Sequence, residues 1–162
     1  MHEIVPDTNV LVSGFLVSQG NPAFIIDAWR NGRIQIVTSF EIIAEFQRVM
    51  LENLNAIKED VEIFTGFLIW KGKIVEPKQK FDAVKDDPSD NKFLEAAVEG
   101  GANYIVSGDK HLKNLGEFNG IKIISPAEMA AILKENTDTM HMSEDALKKD
   151  WDNKYNERWD KY

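Results

Sequence analysis

The chain has 162 residues, 43% of them hydrophobic, which suits one compact domain with a core and a modest appendage. It has no cysteine, which excludes disulfides, thiolate metal sites and cysteine nucleophiles, and its three histidines are not spaced like zinc ligands. No apolar run reaches the roughly 20 residues of a membrane span, and the N-terminus does not resemble a secretion signal, so we expect a soluble, cytoplasmic protein.

The formal net charge of -8 is unfavourable for contact with a phosphate backbone unless basic residues cluster locally. Lysines are frequent in one stretch, which forms either a basic rim or an ordinary solvated surface. These lysines are Lys71, Lys73, Lys78, Lys80 and Lys85.

Hydrophobic periodicity in the N-terminal half predicts strands alternating with helices. The predicted elements are a strand over 3–6 that ends at Asp7, a helix over 22–31, a strand over 33–39, a helix capped by Ser39 that runs to Met50, and a helical segment that breaks at Gly72.

The C-terminal half continues the alternation after a polar, turn-rich loop. The predicted elements are a strand over 73–77, the loop over 78–90, a helix through 93–98 stopped by Gly100-Gly101, a strand in 102–109, a strand over 121–125, and a helix from Pro126 to about Lys134. This order predicts an α/β fold with a central, mainly parallel sheet flanked by helices. We expect a catalytic domain over residues 1–134 and a linker with a C-terminal tail over 135–162.

Four acidic residues are candidates for an active site. Asp7 and Asp109 each follow a predicted buried strand, at the sheet edge where ligands bind in parallel α/β folds. Asp90 follows the polar loop and begins a helix near the same edge. Helical phase turns Glu45 toward the apolar stripe of its helix and Glu41 toward solvent.

Four clustered carboxylates without an internal cation repel one another, so they require protonation or a divalent cation. Oxygen ligands favour Mg²⁺ or Mn²⁺, which activates water and stabilises charge in phosphodiester hydrolysis. Each acid also has a structural alternative. Asp7 could end a strand, Asp90 could cap a helix with Ser89, Asp109 could serve a turn, and Glu45 could be a surface residue.

Four blocks in order resemble the PIN domain family, in the branch of toxin components of toxin–antitoxin systems. They are Asp7 to Ser13 (DTNVLVS), Glu41 to Met50 (EIIAEFQRVM), Asp87 to Asn91 (DPSDN) and Ser107 to Asp109 (SGD). The resemblance covers roughly residues 3–134. It departs from the family pattern in having serine rather than the commoner threonine at 107, and it assigns no role to Asn91.

The resemblance implies a PIN-like three-layer sandwich and a Mg²⁺- or Mn²⁺-dependent endoribonuclease, usually a homodimer, with a possible antitoxin partner. Asp7, Glu45, Asp90 and Asp109 match the metal-site acids of the family, and Asn9 and Ser107 match its supporting polar positions. One alternative is a catalytically idle RNA-binding or regulatory module on the same fold. Another is a different phosphoryl-transfer enzyme, such as a phosphatase or a DNA nuclease.

The tail predicts an amphipathic helix capped by Ser143, with large apolar side chains every four residues at Leu147, Trp151, Tyr155 and Trp159. It resembles the C-terminal tails of antitoxins. We therefore expect the tail to dock on the catalytic domain of the same or a neighbouring subunit and to restrain it through a basic residue. Simple completion of the fold or of the dimer is the alternative.

Overall fold

The computed structural model describes residues 1–137, so the predicted tail helix lies outside the described residues. A π-helical turn at Val49–Asn53 and a 3-10 turn at Pro88–Asp90 accompany the regular elements. These are β1 (His2–Pro6), α1 (Thr8–Leu16), α2 (Asn21–Arg30), β2 (Ile34–Thr38), α3 (Phe40–Arg48), α4 (Lys58–Lys71), β3 (Lys73–Ile74), α5 (Asn91–Gly100), β4 (Tyr104–Val106), α6 (Lys110–Lys113), β5 (Glu117–Phe118), β6 (Ile121–Ile124) and α7 (Pro126–Thr137).

The strands form one sheet in the order β3-β2-β1-β4-β6-β5, and all neighbours are parallel except β5 and β6. Consecutive strand residues point to opposite faces of a sheet. In β1, both Ile4 and Val5 are fully buried, and the same is true of neighbouring residues in β2 and β4. Helices therefore cover both faces of the central strands, which confirms the predicted α/β class with a mainly parallel sheet.

Four short elements differ from the sequence-based expectation: α1, β3, α6 and β5. No helix was expected at α6. The helix α1 was not predicted, because its β-branched valines favour an extended chain. The strand β3 ends at Ile74 instead of Pro77, and the antiparallel β5 was not predicted. In addition, α7 continues to Thr137, beyond the expected end at about Lys134.

A stripe of acceptors on α5 holds the polar loop that precedes it. Glu99 and Glu95 accept backbone N–H groups of Lys78 and Phe81, each at 3.2 Å. Asn91, a further turn toward the N-terminus, binds the same loop. Residues four apart lie on one face of a helix, so the loop is bound along one side of α5.

The large aromatic side chains of α2 and α4 divide into two groups. Trp29 and Phe64 are fully buried in the core, while Trp70 is 72% exposed. Phe67 stacks between Trp29 and Trp70, with ring centroids 4.7 and 5.9 Å away. Within α2 and α4, the aromatic surface left outside the core is thus concentrated at the end of α4.

Within residues 1–137, no single helix combines the length and hydropathy needed to cross a membrane. The helices α1 and α2 reach those values only as a pair, with a bend of 87° between them.

Candidate active site

Two of the predicted residues meet where β1 and β4 end. Pro6 pairs with Val106 in the parallel register, so Asp7 and Ser107 follow the two strands at the same level. The Ser107 hydroxyl donates to Asp7 Oδ2, and Ser107 Oγ accepts from the backbone N–H of Asp109 at 3.0 Å. The fully buried Ser107 therefore links the Asp7 carboxylate to the backbone of Asp109.

Asp7 has both a structural and an electrostatic role. Its Oδ1 accepts from the backbone N–H of Val10 at 2.8 Å and caps α1. The side chain is buried, and this loss of solvation raises the pKa of the carboxyl group. The charges of Asp109 and Glu45 raise that pKa further, so these acids lie close enough to Asp7 to repel it.

Asp90 does not behave as a helix cap. It occupies the residue before α5, but its side chain makes no capping hydrogen bond. Asp87 instead accepts from the backbone N–H of Ser89 at 3.2 Å, which caps the preceding 3-10 turn. Asp90 Oδ2 is buried and has no hydrogen-bond partner among the described residues. Loss of solvation, with repulsion from Asp87 and Asp109, raises the pKa of Asp90 to about 6.

The two glutamates of α3 take the orientations that helical phase predicted. The Glu45 side chain is 24% exposed, and the Glu41 side chain is 62% exposed. Glu45 forms an ion pair with the ammonium group of Lys92, whereas Glu41 lies 4.0 Å from the exposed Lys80. Glu45 therefore belongs to the acidic edge and Glu41 to the surface.

Lys92 is the residue that the sequence analysis missed, and the expectation of no internal cation is wrong. Its side chain is only 5% exposed, and Nζ contacts Glu45 and donates to the Ser89 carbonyl at 2.8 Å. Its charge also acts on Asp90, whose pKa it lowers against the other influences. The available clue was its position two residues after Asp90.

The remaining two candidates differ in placement. Asp109 Oδ1 accepts from the backbone N–H of His111 at 2.7 Å and caps the short helix α6, which matches its turn alternative as well as its place at the edge. Asn9 is exposed on α1, and within residues 1–137 its side chain makes no hydrogen bond to an acid. The structure thus brings Ser107, but not Asn9, to the candidate acids.

The chemistry of the four acids fits a hard divalent cation. Asp90 offers a buried oxygen without a partner, and clustered carboxylates favour Mg²⁺ or Mn²⁺. Taking the described residues alone, however, no three Asp, Glu or His side chains are placed so that they could together hold one metal ion. Asp7, Glu45 and Asp109 instead have partners within the chain. The four acids are therefore a chemically suitable donor set, but three of their side chains are directed to protein groups.

Three of the five lysines that were considered as a basic rim lie beside carboxylates that neutralise their charge. Lys73 pairs with Glu3 at 3.1 Å, and Lys85 pairs with Asp82 at 2.8 Å. Lys80 lies 3.2 Å from the buried carboxylate of Glu95. Exposed pairs of this kind contribute little stability, but they reduce the positive charge offered to a phosphate backbone.

Comparison with known proteins gives consistent matches. A PIN domain family model matches residues 3–111. An uncharacterised protein of Methanocaldococcus jannaschii, MJ1680, is 31% identical over 125 residues, which are 72% of this chain and 77% of that protein.

Two solved structures share the fold at low sequence identity. PAE2754 from Pyrobaculum aerophilum matches with a TM-score of 0.54 at 14% identity, over 83% of this chain and 90% of that chain. VapBC2 from Rickettsia felis, bound to a DNA fragment from its promoter, matches with a TM-score of 0.52 at 13% identity, over 76% of this chain and 98% of that chain.

Proposed function

This chain belongs to the PIN domain family, and on that premise we propose that it is a metal-dependent endoribonuclease that hydrolyses RNA phosphodiester bonds. PIN domains are generally nucleases. The observation that carries the proposal is the Asp90 carboxylate, which has a buried, unpartnered oxygen close to the charges of Asp7 and Asp109. A fold keeps such a costly arrangement where a cation neutralises it.

We propose that Asp7, Glu45, Asp90 and Asp109 hold Mg²⁺ or Mn²⁺. When bound, such an ion lowers the pKa of an attacking water and stabilises charge on the phosphate. The chain orients the acids: Ser107 donates to Asp7 and accepts from the Asp109 backbone, and the Val10 N–H fixes the other Asp7 oxygen. These contacts hold the Asp7 carboxylate against rotation and fix the backbone from which the Asp109 side chain projects.

A comparison of two glutamine variants on α3 tests the function. Glu45→Gln is expected to lower cleavage of labelled RNA by about a hundredfold, because the amide loses the charge that attracts the cation. Glu41→Gln, the same change one turn away on the exposed face, is expected to leave the rate within about threefold. The measurement is initial cleavage rate on a panel of RNAs with Mg²⁺, Mn²⁺ or EDTA, with melting curves to verify folding.

Equal losses in the two variants would contradict the assignment of Glu45 to the site. Cleavage that persists in EDTA would contradict metal dependence. If the protein binds RNA but cleaves none under any condition, the alternative of an idle RNA-binding or regulatory module is correct.

We further propose that the chain is the toxin component of a toxin–antitoxin system and forms a homodimer. The resemblance of the sequence to that branch and the VapBC2 structural match support this proposal. Exposed apolar residues on and before α4, Trp70, Ile69 and Ile57, offer a surface for a second protein.

We also propose that the tail over 135–162 restrains cleavage. The homodimer and this restraint are both tested by comparing the full chain with a chain ending at Thr137. That end point preserves α7, because Arg33 donates to the Leu133 carbonyl at 2.7 Å and to the Thr137 hydroxyl. We expect both proteins to dimerise in light scattering, and the shorter one to cleave RNA faster because it lacks the restraining tail. An 18.4 kDa species alone would count against the dimer, and unchanged cleavage by a folded short chain would count against restraint.

A further inference from the structure

The ammonium group of Lys92 lies beside the acids that we propose to bind a divalent metal ion. Its Nζ pairs with Glu45, donates to the Ser89 carbonyl at 2.8 Å and lies 5.1 Å from the Phe93 ring centroid. The side chain is 5% exposed, so the ammonium group has exchanged most of its water for these contacts. A lysine is almost never buried to this extent unless it is paired.

The charges around Lys92 indicate what it compensates. Glu45, its ion-pair partner, lies near Asp7, and Asp90 precedes Lys92 by two residues. A unit positive charge among these carboxylates reduces the negative potential that attracts a divalent ion. An ammonium group bound to the Glu45 carboxylate also occupies an oxygen that a metal ion would otherwise bind.

We propose that Lys92 is the internal counter-ion of the acidic site and competes with the divalent cation for the Glu45 carboxylate. Lys92 is then a positioning residue: it acts on the metal ion through the Glu45 carboxylate and through its own positive charge, and it sets the metal concentration at which the site is loaded. This inference rests on the proposed function, since it requires the acids to bind a metal. The sign of the effect distinguishes this role from a purely structural one. Removal of a lysine that only supports the fold would weaken metal binding, whereas removal of the counter-ion should strengthen it.

The test is calorimetric titration of the EDTA-treated full chain with Mn²⁺ alone. Lys92→Met keeps the aliphatic stem but removes the charge, and we expect it to bind Mn²⁺ about tenfold more tightly than the unaltered chain. Lys92→Arg keeps the charge and is expected to stay within about threefold. Lys58→Met removes the charge of an exposed lysine that pairs with Glu62, and it is expected to leave the affinity unchanged.

A folded Lys92→Met variant with equal or weaker Mn²⁺ binding would overturn the inference. If that variant does not fold, the double variant Glu45→Gln/Lys92→Met removes both members of the pair and leaves neither charge unpaired. It is expected to bind Mn²⁺ more tightly than Glu45→Gln alone, and equal binding would overturn the inference.

The outcomes also separate this inference from the proposed function. Tighter Mn²⁺ binding by a chain that cleaves no RNA supports the counter-ion and contradicts the ribonuclease. Metal-dependent RNA cleavage without tighter Mn²⁺ binding in Lys92→Met supports the ribonuclease and contradicts the counter-ion. If neither the unaltered chain nor Lys92→Met binds Mn²⁺, both proposals fail, whereas binding by the variant alone supports the counter-ion.

Discussion

Asp90→Asn is expected to lower RNA cleavage at least about a hundredfold while making the protein more stable in EDTA at pH 8. Cleavage falls because the variant loses one of the four acids proposed to hold the metal. Stability rises because the removed charge is half-buried, has an unpartnered oxygen and is repelled by Asp87 and Asp109.

The pH dependence follows from the direction of the pKa shift. Folding raises the pKa of Asp90 from 3.8 to about 6, so folding favours its protonated form. The contribution of protonated Asp90 to the stability of the folded state is fully present below pH 3.8, and it is lost as the pH rises through about 6. Asparagine does not ionise, so the advantage of the variant should grow between pH 4.5 and pH 8. Because the group is partly solvated, we expect a gain of only about 1 kcal/mol.

Urea unfolding in EDTA at the two pH values measures this difference. Asp82→Asn is the matched control, since Asp82 is an exposed acid of the preceding loop whose charge pairs with Lys85. It should change neither the cleavage rate nor the pH dependence of stability. An Asp90→Asn variant that still cleaves RNA would contradict the assignment of Asp90 to the metal site. A stability advantage over the unaltered chain that is smaller at pH 8 than at pH 4.5 would contradict the raised pKa of Asp90.

Asn91→Ala is expected to destabilise the protein by about 3 kcal/mol and to reduce cleavage as well. Asn91 Oδ1 accepts from the backbone N–H groups of Ala83 and Val84 at 3.0 and 2.9 Å. Its Nδ2 donates to the carbonyls of Val84 and Pro88 at 3.3 and 2.9 Å. Alanine leaves buried backbone groups without partners and frees the loop that leads to Asp90.

The control is Glu99→Ala, on the same face of α5. Glu99 is exposed and accepts one backbone N–H, from Lys78 at 3.2 Å, so its loss should cost less than about 1 kcal/mol. Chemical unfolding and RNA cleavage are measured on both variants. Similar stability for the two would show that Asn91 does not anchor the loop.

The sequence by itself determined the α/β class and the edge at which the candidate acids meet. Consecutive apolar residues in short strands require cover on both faces, and a parallel sheet brings the ends of such strands together. The positions of Asp7, Ser107 and Asp109 follow from this geometry. The orientation of Glu45 follows from helical periodicity, which is a local property.

Only the tertiary structure decided which side chains partner the acids. The ion pair between Lys92 and Glu45 joins two helices that are distant in sequence, and no periodicity within either helix predicts it. The four hydrogen bonds of Asn91 depend likewise on the path of a loop without regular structure. The exposed position of Asn9 depends on α1, whose valines favour a strand but which the Asp7 cap and core packing hold as a helix. Local periodicity and capping residues indicate most of the elements, whereas contacts between distant segments fix the charge balance of the site.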